Sequence, residues 1–144
     1  MNRKVFKFCT SREDLKTIYI LFVRSILEQS AVVWHSSLTK ENSQDIEWVQ
    51  KSAVQLIVNQ SLSYKKCLSL LELEPLYLRR QKLCLDFSLI CLKDKEMKKI
   101  IWHNMATRKP EIIDITKYEH ERFKKSSIPF MRSLLNEHFK KTEN

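Results

Sequence analysis

Not one of the 144 residues is glycine, where ordinary usage of about 7% would supply roughly ten. Glycine takes positive φ without steric cost and lets the main chain approach a ligand closely. Phosphate-cradling loops of the Walker or dinucleotide type are therefore excluded, because each needs glycine where backbone N–H groups meet phosphate. Two-residue hairpins and closed barrels rely on it too, which argues against an all-β architecture. Helices need none, so the expectation is an all-α fold the size of one ordinary domain: a compact bundle of about four helices with a less regular C-terminal tail.

The apolar pattern fills in that outline. Thr10 followed three residues on by Glu13 forms a capping box, after which Leu15, Ile18, Tyr19, Phe22, Ile26 and Val33 recur with helical spacing. Ile20, Leu21, Val23 and Leu27 make the other faces of this helix apolar as well, so it is expected at the centre, wrapped by the rest. Thr39 is placed to cap a second helix over about 40–58 with a stripe of Ile46, Val49, Ala53, Leu56 and Ile57. Ser63 caps a short helix bearing Tyr64, Leu68 and Leu71, and Pro75 opens a fourth that carries Leu76, Leu83, Phe87, Ile90 and Cys91 and ends near Lys93. One core containing Phe22, Ile26, Val49, Ile57, Leu68 and Phe87 follows from these stripes. The helical domain spans 10–102. A linker from His103 to Pro110, an extended piece around Ile112, Ile113 and Ile115, and a last amphipathic turn or two with Met131, Leu134, Leu135 and Phe139 make up 103–144.

Twenty-six basic against 17 acidic side chains give a formal charge of +9, which favours polyanionic partners. The excess is uneven: residues 1–72 carry 10 basic and 7 acidic side chains, whereas 73–144 carry 16 and 10. The longest unbroken apolar run, Ile18 to Val23, is six residues long, against about 18 for a membrane span, so no membrane partner is expected. Lys7, Arg12, Glu13 and Asp14 occupy the place of a signal peptide's apolar stretch. Cys9, Cys67, Cys84 and Cys91 show neither C-x-x-C spacing nor a histidine at metal-finger distance, and Cys84 and Cys91 lie about 10 Å apart along one helix, too far for a disulfide. Reduced core thiols in an intracellular protein, nuclear or cytoplasmic, are expected, with no cofactor and no metal.

Several strings resemble, in order, the region that follows the palm in non-long-terminal-repeat, jockey-like retrotransposon reverse transcriptases. They are Leu15 to Glu28 with Ala31-Val32-Val33-Trp34; Glu47 with Val49-Gln50-Lys51-Ser52-Ala53; Ser63-Tyr64 with Leu68, Leu71 and Leu73; Leu76 with Arg79-Arg80; and Arg122 to Asn136. Ser52, Gln55 and Cys67 stand where the family is usually basic, and Glu72 replaces a family glycine. The resemblance implies a thumb-adjacent region that helps hold template and primer, while the family's catalytic aspartates lie upstream. Asp14, Asp45, Asp86, Asp94 and Asp114 include no Asp-Asp pair that could hold two Mg²⁺ ions. A non-catalytic, decayed or host-retained fragment is the expectation.

Arg79, Arg80, Lys82, Lys95, Lys98, Lys99 and Lys51 are the candidate phosphate contacts, with Arg122, Lys124 and Lys125 beside Phe123 as a secondary patch. Arg79 and Arg80 sit at the positive end of a helix dipole, a mildly unfavourable place that an anionic partner would relieve; a neighbouring carboxylate would do the same. Trp34, next to two valines, reads as core. Five or six such contacts give a log–log salt slope of about −4 to −5 on duplex. The alternative is a helical interaction module that uses formerly palm-facing apolar surface for self-association or a host protein partner.

Overall fold

The computed structural model of the protein describes residues 11–102 and 125–142. Among these residues every regular element is helical. In chain order they are α1 (Arg12–Ile18), a wide π-helical stretch (Tyr19–Arg24), α2 (Ser25–Glu28), α3 (Ala31–Trp34), a 3₁₀ turn (His35–Ser37), α4 (Lys40–Val58), α5 (Tyr64–Leu70), α6 (Leu76–Lys93), α7 (Lys95–Trp102) and α8 (Ser127–Thr142). The expected linker at His103–Pro110 and the extended piece at 112–115 lie outside the described residues. Two compact units divide the chain, residues 1–29 with 39–79 and residues 30–38 with 80–144.

Local caps set the helix boundaries. Ser11, not Thr10, caps α1 by accepting from the Asp14 N–H at 3.1 Å. Thr39 caps α4 by accepting from the Asn42 N–H at 3.1 Å. Asp94 ends the α6 run and starts α7, its Oδ1 accepting from the Glu96 and Met97 N–H groups at 2.9 and 2.8 Å. Sequence periodicity leaves α7 unannounced, because the helix is short and lysine-rich. The C-terminal helix is likewise 16 residues long, where a turn or two was expected.

Without glycine, three other residues take the left-handed positions: Ser30, Asn59 and Glu72, with φ of 53°, 50° and 52°. Ser30 breaks the chain between α2 and α3, and Asn59 closes α4. At the end of α5, the Glu72 N–H bonds Ser69 C=O at 3.2 Å and the Leu73 N–H bonds Leu68 C=O at 2.9 Å. This is a Schellman closure, completed by Leu73 packing on the cluster that contains Leu68. Glu72 stands where such a closure usually carries glycine.

In the unit formed by residues 1–29 and 39–79, Leu15 and Tyr19 pack with Ala53, Val54, Ile57 and Val58 of α4 and with Cys67, Leu68 and Leu71. The expected core is corrected here. Ile57 and Leu68 are buried, but Phe22 and Ile26 are 66% and 68% exposed, and Val49 and Phe87 are also on the surface. The cause lies in the wide stretch after Tyr19, where the Ser25 N–H bonds Ile20 C=O five residues back. That turn inserts the equivalent of one residue, which swings everything downstream by about 100° relative to a pure α-helix. Ile20 and Val23 pack on the core in place of Phe22 and Ile26. Arg24 and Glu28 have largely covered side chains and an ion pair at 2.7 Å. The first helix is therefore a face of its unit, not a wrapped centre.

The 26-residue stretch Arg12–Ser37 contains an 18-residue window of mean hydropathy 1.2, long and apolar enough to cross a membrane by length and composition. Counting unbroken apolar runs misses it. The Arg24–Glu28 ion pair and the left-handed break at Ser30 interrupt the stretch.

On α4 the stripe is also corrected: Gln50, Ala53, Val54, Ile57 and Val58 are buried, whereas Trp48, Val49 and Leu56 are exposed. Gln50 is fully enclosed and fully used. Its Oε1 accepts from Tyr19 Oη at 2.7 Å, and its Nε2 donates to Tyr64 Oη at 3.0 Å and to Glu74 C=O at 2.9 Å. Tyr64 in turn donates to Glu47 Oε1 at 2.5 Å. Burial raises the pKa of both phenols, Tyr64 further through its bond to the Glu47 carboxylate, so both remain donors. Glu47 completes the set by accepting from the Leu76 and Tyr77 N–H groups, each at 3.1 Å, and so caps α6 from another helix.

Two outcomes follow for unfolding in denaturant. Gln50→Leu should cost about 2–4 kcal/mol by stranding buried polar partners, against about 1 kcal/mol for Tyr19→Phe. Glu72→Gly should stabilise by about 0.5–1 kcal/mol, the relief of a left-handed side chain less glycine's extra chain entropy, whereas Glu72→Val should destabilise.

Candidate nucleic-acid interface

Helix α6 turns one residue in three or four inward, and its buried positions are Leu76, Arg80, Cys84, Ser88 and Cys91. Spacings of four, four, four and three describe one helical stripe. Hydropathy does not find it, because a cation, two thiols and a hydroxyl occupy it; Phe87 and Ile90, expected inside, are exposed. Each polar member is accommodated. Ser88 Oγ donates to Cys84 C=O at 2.6 Å, and Cys84 Sγ lies 3.9 Å from Ala31 C=O. Burial pushes the Cys84 thiol up to about 11 despite the nearby Arg80 cation, and raises Cys91 as well, so both remain unreactive thiols.

This stripe decides the fate of the arginine pair. Arg80 is fully buried, its guanidinium carbon 5.6 Å from the Trp34 ring centroid and its Nε donating to His35 Nδ1 at 3.3 Å. A side chain enclosed in this way cannot neutralise a phosphate on the surface, so Arg80 leaves the set of candidate contacts, and Trp34 serves it as a cation–π partner instead of stacking on a base. Arg79 belongs to the other unit. Its Nε lies 3.3 Å from Glu28 Oε1, which also holds Arg24, and its side chain is 42% exposed. The neighbouring carboxylate named as the alternative for this arginine is Glu28.

The lysines fare differently. Lys82, Lys95, Lys98 and Lys99 are exposed. On α7, positions 95, 98 and 99 fall within about 100° of one another around the helix axis, so their ammonium groups share one face. Lys99 Nζ reaches Glu96 Oε1 at 2.7 Å, an exposed pair that water and salt screen readily. Lys51 is exposed on α4 in the first unit. Of the secondary patch, Lys125 is exposed, while Arg122 and Lys124 lie outside the described residues. Among the described residues, no three His, Cys, Asp or Glu side chains converge in the way a metal ion requires. A shallow groove of about 500 Å³ beside the end of α4 is lined by Ser52, Gln55, Leu56, Asn59, Gln60 and Ser61 and carries no charged group.

Family models, curated proteins and solved structures were compared with the chain, and none of them matches it.

Removing each arginine should separate their roles. Arg80→Ala is expected to lower stability in a denaturant titration by about 2–4 kcal/mol through lost packing and a broken buried contact. Arg79→Ala should cost less than about 1 kcal/mol, the ordinary range for a partly exposed ion pair.

Proposed function

We propose that the chain is a non-catalytic helical module related to the post-palm region of non-long-terminal-repeat retrotransposon reverse transcriptases, with weak, sequence-independent affinity for nucleic acid. The single observation that carries the binding is the lysine face of α7, where Lys95, Lys98 and Lys99 are all exposed within one arc of the helix. Lys82 adds a fourth exposed cation in the same unit. Point charges on flexible stems suit phosphate contact without base reading.

Two features support the family reading. Glu72, standing where the family has glycine, holds a left-handed conformation of the kind glycine serves. Glu47, Gln50 and Tyr64, all in strings that carry the resemblance, are joined in one hydrogen-bonded set. The proposal includes the finer arrangement read from sequence, about four helices over 10–102 and a less regular segment over 103–144. It also includes an intracellular setting with neither cofactor nor membrane as partner.

A second reading has its own observation. Leu21, Phe22 and Ile26 are exposed on the first helix, forgoing about 1.5–3 kcal/mol of burial for each large side chain. A protein surface, whether a host partner or another copy of the chain, would recover that energy, and the module would then work by docking.

A salt series of fluorescence-anisotropy titrations with labelled duplex and single-stranded oligonucleotides tests the first reading. With the arginines removed from the count, four lysines give a slope of about −3 to −4 on duplex and about −3 on single strands. Replacing Lys95, Lys98 and Lys99 together by Gln should reduce the duplex slope by about 2–3 units and leave sequence preference unchanged. An unchanged slope in that variant removes the nucleic-acid reading, and self-association insensitive to salt in sedimentation runs would put docking in its place.

A further inference from the structure

The helical run from α1 through the π-helical stretch to α2 has an outer face without charge. Its exposed residues between Thr17 and Ile26 are Thr17, Leu21, Phe22, Ser25 and Ile26. Arg24, in the same span, is largely covered and paired with Glu28 at 2.7 Å. Both hydroxyls on the face are already bonded within their own helix, Thr17 Oγ1 donating to Glu13 C=O and Ser25 Oγ to Leu21 C=O. A partner can therefore cover this face without stranding a donor, which is the main cost of drying a surface that carries hydroxyls.

We propose that this face is the seam of a symmetric dimer and meets its own counterpart on a second copy of the chain; the proposal rests on the docking reading and names its partner. Charge selects the partner. The described residues of the first unit, 11–29 and 39–79, carry eight basic and eight acidic side chains, so the net +9 of the chain resides elsewhere. Two copies of this unit approach without net repulsion, and near-zero charge is the condition that favours association. A polyanion or an acidic lipid surface matches the face poorly, because no exposed cation lies in the span. Area is adequate. Leu21, Phe22 and Ile26, exposed by 59%, 66% and 68%, present roughly 350 Å² of apolar surface, most of the apolar share of the about 800 Å² that each partner gives to a standard interface. Shape is self-complementary, since bulky side chains flank the small Ser25. A two-fold axis midway between Phe22 and Ser25 sets each phenyl ring over Ser25 of the second copy and each Leu21 against its Ile26, the reciprocal pairing of an isologous contact.

Sedimentation velocity of the full chain tests the seam. A reversible dimer is expected, with a dissociation constant on the order of 10 μM that stays the same between about 0.1 and 0.5 M salt, because no charge lies in the contact. Phe22→Glu should weaken it about tenfold or more with helix content unchanged. Trp48→Glu, at a residue equally exposed on α4, should leave it as it is. Leu21→Lys and Ile26→Glu should each weaken the dimer, and the two together in one chain should regain part of it, because the two-fold pairs position 21 with position 26. That regain also decides the matter should Phe22→Glu lose its helix content. A dimer that survives Phe22→Glu, or a combined variant no tighter than either single change, overturns the seam. So does a chain that stays monomeric to about 200 μM, twentyfold above the expected constant. In that last case Nile red, an uncharged dye, separates the two failures. Dye binding lost in Phe22→Glu leaves the docking reading standing with a different protein as partner, and dye binding indifferent to Phe22 removes the docking reading as well.

Discussion

The enclosed amide of Gln50 is the contact on which the first unit depends. It ties together a tyrosine from the first helix, a tyrosine from α5 and the carbonyl of Glu74, while Glu47 one turn earlier on α4 caps the start of α6. Apolar burial alone is non-directional and would tolerate several rotations of these helices about one another. A buried amide is not tolerant in that way, because any slip leaves its donors and acceptors unpaired at a cost comparable to a whole core methyl group. The set of Tyr19, Glu47, Gln50 and Tyr64 thus converts a greasy contact between the first helical stretch, Arg12 to Arg24, and α4 into one register. It also fixes the point at which α6 begins.

The same register explains the wide turn. Tyr19 must face Gln50, yet its helix continues with Ile20, Leu21, Phe22 and Val23, which are apolar on every side. An uninterrupted α-helix would carry Phe22 and Ile26 toward the core, and the one-residue expansion between Tyr19 and Arg24 instead brings round Arg24 and Glu28. Glu28 then serves Arg24 and Arg79 together. The apolar side chains displaced by this rotation are the surface on which the docking reading rests, so the feature that orders the core also produces the exposed patch.

Charge is distributed on a similar principle. Of the basic groups singled out in the sequence that lie among the described residues, the planar, delocalised guanidinium of Arg80 is the one drawn inside, where an aromatic face and an imidazole lone pair receive it. The strongly hydrated ammonium groups of Lys82, Lys95, Lys98 and Lys99 stay in water. What remains outside is a flexible, non-directional cationic face, suited to phosphate as a polyanion and unsuited to reading a base.

The sequence by itself determined the helical class and most of the helix limits. The absence of glycine disfavours hairpins, and Thr39, Ser63 and Pro75 stand next to the starts of α4, α5 and α6. Those signals act over three or four residues, through the Thr39 hydroxyl that meets the Asn42 N–H or a ring that fixes φ, so they are visible in a string of letters, although Ser63 precedes α5 without a side-chain cap bond. Only the tertiary structure decided which faces were buried. Hydropathy assigns Phe22, Ile26 and Phe87 to the core and Gln50 and Arg80 to water, and the fold reverses all five. The reversal depends on partners 31 residues away for Tyr19 and Gln50 and 45 away for His35 and Arg80, and on a backbone expansion that no local preference announces. A polar group is stable inside when its complement arrives from elsewhere in the chain, and periodicity along one helix holds no record of that arrival.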